Sequence, residues 1–303
     1  MSIKTGESYF LKLQNKTTLA FFLFGTTVLM ILAGAFDYHN HQVLPGEALV
    51  NLETLAEQSA QHINTLLEGK VAITQTLASA PVIREALQKS NREYKALTAE
   101  ERAEKTGRLN QEWLDTKDIS TPFIQQYMAT PVADYLAKQQ SNLSETYGEI
   151  FLTNRYGVMI ATTKKLTTLA HAHKYWWVAS YNNGQGRIFL DDRGFDSSVQ
   201  GYVLGIVVPI VERGEILGIL KCNINIIGSL SHIIHTFNMD HSSTLKIVRS
   251  DGVVVFEEGR EPLSSQISEA LRLNLKERKT GNDITDVSGV EQLSAHSPVP
   301  ITL

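Results

Sequence analysis

The residues best able to do chemistry cluster in KYWWVASYNNGQGRIFLDD, residues 174–192. A lysine, two adjacent tryptophans, a glycine-flanked turn and a pair of aspartates could form a phosphate loop, a piece of core or the wall of a ligand pocket. A dinucleotide phosphate loop needs G-x-G-x-x-G between a strand and a helix. Gly184 and Gly186 instead follow a helical stretch over about 173–181 and precede a strand, so they read as a helix C-cap and turn. Trp176 and Trp177 are neighbours on that helix and point about 100° apart. One can pack in the core while the other borders a cavity. Two core tryptophans beside a solvated Lys174 remain the alternative.

The histidines raise metal chemistry. His171 and His173 are two apart, His232 and His235 are spaced i,i+3, and His39 and His41 follow the apolar N-terminal run. An i,i+3 pair can share a metal, but no nearby cysteine or carboxylate completes a tetrahedron. No metal site is assigned, and these side chains read as solvated or capping. His171 and His173 adjoin the 174–192 stretch, where a pH influence is conceivable. Cys222, in ILGILKCNINI, reads as a buried small hydrophobe, and as the single cysteine it has no disulfide partner in the chain. No nucleophile, base and orienting group stand at a recognisable spacing, so no catalytic residue is assigned. An exported hydrolase using Asp191 or Asp192 is the enzyme alternative, and an adaptor that merely dimerises at the membrane is another.

The elements that must position these residues follow from periodicity. From Tyr147 on, GEIFLTN, GVMIATT, GRIFLDD, YVLGIVVPI and EILGILKCNINI are short, apolar, β-rich runs separated by turn residues. With one helix interrupting them, they predict an antiparallel sheet with helices on one side, an α+β domain. IGSLSHIIHTFNMD returns to helical spacing. LKIVRS, GVVVFEE, SSQISEALRLNL, NDITDV and VEQLSAHSPV then read as a smaller copy of the same architecture.

Upstream, Leu49, Leu52, Ala56, Ser59, Ile63, Leu66, Lys70, Ile73 and Leu77 step by three and four, a heptad seam. Ser59 and Lys70 weaken a pure coiled coil, so a dimer seam and an intramolecular face both stay open. Pro81 predicts a break. Thr98 with Glu101 predicts an N-cap, Thr121-Pro122 opens a further helical segment, and Pro131 interrupts it. Residues 17–36, TTLAFFLFGTTVLMILAGAF, carry no charge, and twenty helical residues rise roughly 30 Å, the thickness of the hydrocarbon layer. Lys4, Lys12 and Lys16 precede the run, which places the N-terminus in the cytoplasm and everything after Asp37 outside. A cleaved signal peptide is the rival, although its apolar region is usually shorter. The 303 residues are 43% hydrophobic and 20% charged, enough for a real core, and a net charge of −4 does not favour nucleic acid.

The order of these pieces resembles the double Cache sensor family, the extracytoplasmic tandem PAS-like modules of bacterial histidine kinases, chemoreceptors and cyclic-dinucleotide enzymes. YGEIFLTNRYGVMIATT resembles the family's opening strand pair, YVLGIVVPIVERGEILGILKCNINI its closing pair, and DGVVVFEEG and GVEQLSAHSPVP the strands of its second domain. The resemblance covers residues 47–303. Beside the cytoplasmic N-terminus (1–16) and transmembrane helix (17–36) read from charge and hydropathy, it implies a long helix and helical segment (47–141), a membrane-distal PAS-like ligand-binding domain (142–226) and a membrane-proximal PAS-like domain (227–303). The last strand of the proximal domain is expected to be incomplete, with the chain stopping before a second transmembrane helix and output domain. The implied protein is a single-pass inner-membrane receptor, a sensor histidine kinase in the leading reading, with residues 37–303 periplasmic. A chemoreceptor or diguanylate cyclase is the alternative. Parallel homodimerisation through residues 47–80 is also implied, and no cofactor. In amino-acid-binding members an Arg-x-Trp-Tyr stretch holds the ligand carboxylate, and a Tyr-x-Asp and a later Asp hold its ammonium. The matching positions here are Lys174-x-Trp176-Trp177, Phe189-x-Asp191 and Asn223. Lysine is a point charge without the bidentate fork, and Asn223 replaces a carboxylate. These departures predict a small polar or carboxylate ligand other than a standard α-amino acid.

Overall fold

Proline and threonine punctuation sets most helix boundaries. The computed structural model describes residues 27–36, 44–143, 147–196, 201–225, 227, 230–231, 243–277, 280–287 and 290–300. Residues 27–36 are helical, α1, with Leu29, Met30, Ile31, Leu32 and Phe36 exposed. They are the second half of the apolar run. Residues 1–26, His39, His41, His232 and His235 lie outside the described residues. Among the described residues no helix is long and apolar enough to cross a membrane.

The chain divides into two units, Gln58–Glu277 with Val299–Leu303, and Met1–Glu57 with Arg278–Pro298. In the larger unit, α2 (Leu44–Ala78, from Gln58 onward) ends just before Pro81, which is the first residue of α3 (Pro81–Lys95). α4 (Ala99–Asp115) opens on the Thr98–Glu101 capping box, in which each residue satisfies the other's backbone N–H. α5 (Pro122–Met128) and α6 (Pro131–Asn142) begin with proline behind Thr121 and Thr130, whose side chains cap them. Over this stretch part of the helix is an intramolecular face, and part of the heptad seam stays outside it. Ala60, Ile63, Leu67, Val71 and Ala78 are buried, whereas Leu66, Lys70 and Ile73 are only half-buried. A 3.6-residue helix drifts against a seven-residue repeat, so the core stripe meets the seam at Ile63 and Leu77 and leaves it between them.

Five antiparallel strands follow: β1 (Tyr147–Asn154), β2 (Met159–Thr162), β3 (Phe189–Asp196), β4 (Gly201–Glu212) and β5 (Glu215–Ile224), in the order β2-β1-β5-β4-β3. β4 and β5 are joined by Arg213-Gly214, both at positive φ (53° and 82°), as a two-residue primed turn requires. The sheet is covered on both faces, not on one. Ile150, Leu152, Ile206, Val208, Leu220 and Cys222 pack with α2, α3 and α6. Phe151, Val207 and Ile219 point the other way and pack with Trp113 of α4, Tyr127 of α5 and both tryptophans of α7 (Tyr175–Tyr181). Strands buried on both faces lose polar alternation, which is why continuous apolar runs such as VLGIVVPI cannot report how many helices lie on each side. Cys222 is fully buried, and burial pushes its thiol up to about 12.

Over residues 227–303 the described strands form two antiparallel pairs. β6 (Lys246–Val248) pairs with β7 (Val254–Glu257), followed by α8 (Glu269–Glu277), all within the larger unit. The free edge of β7 is met by a loop: Val254 N–H donates to the Ser265 carbonyl and Leu263 N–H to the Val254 carbonyl. Those backbone groups are thereby satisfied without a further strand. β8 (Gly281–Val287) and β9 (Val290–His296) form their own antiparallel pair in the smaller unit, where Asn282 Nδ2 also donates to Glu53 Oε2 (2.5 Å).

Candidate functional site

Strand register builds the floor of the site. Glu149, Asn223, Gly205 and Asp191 are partners across β1, β5, β4 and β3. Two residues along each strand, Phe151, Lys221, Val207 and Phe189 form the next row on the same face. α7 is the roof. It starts at Lys174, whose N–H donates to the His171 carbonyl, and ends at Asn182 and Asn183, both left-handed. Gly184 and Gly186 follow at φ 89° and 76°, and the N–H of Gly186 returns to the Tyr181 carbonyl. The cap expected at the glycines falls on Asn182 instead, and Gly184 and Gly186 form the turn that follows it.

The two tryptophans divide as helical geometry demands. Trp176 stands edge-on to Phe151 (5.7 Å) and beside His171 (5.4 Å), and the Lys221 ammonium lies 4.5 Å above its ring. Trp177 donates its indole N–H to Thr153 Oγ1 (3.1 Å) and stacks on Tyr181 (4.7 Å). It lines an open cleft of about 400 Å³ with Arg102, Arg155, Tyr156 and Tyr181. Lys174, Trp176, Phe189, Asp191 and Asn223 do not line that cleft.

Beneath Trp176 the polar groups are buried and paired. Asp191 receives a hydrogen bond from the Tyr175 hydroxyl on one oxygen and from Lys221 Nζ on the other (2.8 Å). The side chains of Lys221 and Asp191 are only 8% and 11% exposed. Gly205 makes the room: a Cβ there would approach Lys221 Cε to 2.6 Å and Asp191 Cβ to 3.0 Å. Asn223 Nδ2 donates to Glu149 Oε1 (2.8 Å), both buried. Phe189 sets its ring edge-on to Tyr175 at 6.4 Å. Lys174 is half-buried and stays close enough to His171 to disfavour its protonation. His171 is 4% exposed and stacked on Phe151 (5.2 Å), with no side-chain hydrogen-bond partner and only the Thr168 backbone near its ring. Burial first, then the charges of Lys221, Lys174 and His173, push its pKa down to about 3. The imidazole is neutral at pH 7.

Of the six residues singled out by sequence, Trp176, Asp191, Asn223 and Phe189 thus lie together between α7 and the sheet, in a closed chamber packed with side chains where Phe189 is half-buried. Lys174 stands at its rim and Trp177 faces the separate cleft. Sequence reasoning missed Lys221, Glu149, Tyr175 and His171 as members. One signal was present: Lys221 and Glu149 are lone charges inside apolar strands, each at even spacing from a residue already suspected or packed on that face. Among the described residues no group of three His, Cys, Asp or Glu side chains could hold a metal ion.

No family model matches the chain, and a search of curated proteins finds no match. Solved structures do match. The chain superposes on the extracellular domain of rpHK1S-Z16, a protein described as a histidine kinase, with a TM-score of 0.58 at 12% identity, covering 86% of this chain and 92% of that one. The chain has the fold of a receptor sensory domain. It superposes equally on the sensory domain of the Campylobacter jejuni chemoreceptor Tlp3 with isoleucine bound (TM-score 0.55, 14% identity, 84% and 89% covered). The ligand-binding domain of the Pseudomonas aeruginosa PAO1 amino acid chemoreceptor PctB, in complex with L-Arg, matches at 0.52 with 15% identity, 84% and 90% covered. At such identities the likeness is one of fold, in agreement with the double Cache resemblance of the sequence, and the functional residues must be argued from this chain.

Proposed function

We propose that the chain is the extracytoplasmic ligand-sensing module of a membrane signal-transduction receptor, with a small polar or carboxylate ligand bound between α7 and the sheet at Trp176 and Asp191. The observation that carries this reading is a patch of buried polar side chains in two adjacent rows, Glu149, Asn223 and Asp191 with Lys221 beside them, on one face of a sheet whose fold is that of sensory domains. Buried charge that only held the fold together could be replaced by apolar residues at little cost, so its presence favours recognition. The uncharged segment 17–36 anchors the module as a single membrane pass, residues 37–303 are periplasmic, and residues 47–80 pair two copies. A histidine kinase is the leading receptor class. The chemoreceptor folds that match the chain favour a chemoreceptor as the second.

Thermal-shift screening of small polar compounds tests the proposal. A ligand present at 100 times its Kd stabilises by about 2.7 kcal/mol. A hit lost in Trp176→Ala and kept in Arg155→Ala supports sensing at this face. A hit kept in Trp176→Ala and lost in Arg155→Ala moves the ligand to the cleft beside Trp177. Turnover of the hit would make the protein an enzyme.

A further inference from the structure

Lys221 is the cation of the chamber's buried ion pair. Its ammonium has three N–H donors. One is spent on Asp191 Oδ2 (2.8 Å), and the group lies 4.5 Å above the Trp176 ring, so a carboxylate and an aromatic face already surround it as they would surround a bound amine. The Tyr175 hydroxyl engages the other Asp191 oxygen. An incoming amine would have to displace Lys221 from Asp191 and strand an ammonium in a site where it is 8% exposed. An incoming anion meets the opposite situation. Lys221 has N–H groups to spare, and His171, next to the same indole, is buried with no side-chain partner, only the Thr168 backbone lying within reach of its ring. A buried polar group left without a partner is costly, and a neutral imidazole offers one donor and one acceptor. Tyr175, 39% exposed and bonded to Asp191, connects this corner to solvent.

We infer that Lys221 is the specificity-determining residue of the proposed site, a tethered cation that shuts out amines and, together with His171, receives the carboxylate of an anionic ligand that carries no ammonium group. This rests on the sensing reading above and names the ligand class for it. The sequence placed the ligand's cationic partner at Lys174, at the rim; the geometry moves it to Lys221, on the floor.

The test uses the purified full chain in detergent, with acetate, lactate, succinate, malate and citrate as carboxylate probes and n-butylamine and L-alanine as amine probes. At least one carboxylate should raise Tm, and neither amine probe should. Binding of that carboxylate, measured by calorimetry, should weaken roughly 10- to 100-fold in Lys221→Met and in His171→Phe, the loss expected for a hydrogen bond to a charged group. The double variant Asp191→Leu/Lys221→Met guards against a Lys221→Met chain that fails to fold, since it leaves no unpaired charge, and it should also lose the carboxylate. In Lys221→Ala, n-butylamine should restore Tm by filling the vacated place on Asp191. An amine probe that stabilises the unaltered chain overturns the inference and leaves the sensing reading standing. So does carboxylate binding that survives both Lys221→Met and the double variant. If no carboxylate shifts the unaltered chain while n-butylamine rescues Lys221→Ala, the ion pair only holds the fold, and the inference falls. If no probe shifts any variant, the chamber binds nothing and the sensing reading at this face falls with it.

Discussion

Trp176 and Trp177 are consecutive residues on one short helix over one sheet, yet the ground each covers is organised differently. Under Trp176 the polar groups are buried and partnered: Lys221 in an ion pair with Asp191, and Asn223 in a hydrogen bond to Glu149. Beside Trp177 the cations sit at the mouth of an open cleft, Arg102 and Arg155 both over the Tyr156 ring at 5.1 and 6.0 Å, and Arg155 paired with a largely exposed Glu215. An open cleft invites the eye, but exposed cations are solvated in any fold and cost little to maintain. Buried ions must be matched one by one, so the closed side carries more information about function.

The largest expected effect follows from that contrast. Asp191→Ala leaves the Lys221 ammonium buried and unpaired, and should destabilise by about 3–5 kcal/mol. Asp191→Leu/Lys221→Met removes both charges and should fall within about 1–2 kcal/mol of the unaltered chain, because a volume-matched apolar pair replaces a desolvated ionic one. Urea midpoints for the two variants decide the matter. Equal losses would mean that the pair is wetter than its burial indicates.

The second effect is a pH dependence confined to the closed side. His171 has its pKa lowered from an ordinary 6.5 to about 3, so the folded chain keeps it neutral while the unfolded chain takes up a proton below about pH 6.5. Its contribution is complete above pH 6.5 and is lost progressively as pH falls toward 3, at up to about 1.4 kcal/mol per pH unit. Lys221, Lys174 and His173 face the ring and oppose its protonation throughout this window, as burial does. Urea melts at pH 7.5, 6.0 and 5.0 should show His171→Phe losing less stability on acidification than the unaltered chain. Parallel losses would show that another group carries the acid sensitivity.

The difference between the two sides also marks how far the sequence could be read. Helix starts at Thr98 and Thr121 and the breaks at Pro81 and Pro131 were legible because caps and prolines act locally, although each break is also the first residue of a new helix. The five strands and their turns were legible from short apolar runs between turn residues. The split of Trp176 from Trp177 followed from helix geometry, but which of them met the polar chamber did not, since that depends on where β1 and β5 pass beneath them. Lys221 illustrates the rest. Its pairing with Asp191 joins residues thirty apart through the β3-β4-β5 register, and the missing side chain of Gly205 makes the space. Neither is a local signal. The pairing of β6 with β7 and of β8 with β9 was legible, whereas the loop at residues 263–265 that hydrogen-bonds to β7 was not.

Two smaller perturbations probe the side of Trp177. Thr153 is buried, accepts the Trp177 indole N–H and itself donates to the Ile219 carbonyl (3.3 Å). Thr153→Val is nearly isosteric but strands the indole N–H, so a loss of about 1–3 kcal/mol is expected, with a shift in tryptophan fluorescence. Arg155→Ala breaks the Glu215 contact (3.1 Å), whose partners are 33% and 70% exposed, and should cost no more than about 1 kcal/mol, fading further in high salt. Chemical denaturation at low and high ionic strength reads this directly. The comparison predicts that Arg155→Ala is the mildest of these single substitutions although it removes a full charge from the most open cleft described. A loss approaching that of Asp191→Ala would mean that the guanidinium holds the β1–β2 turn through Tyr156, and the open side would then be as tightly organised as the closed one.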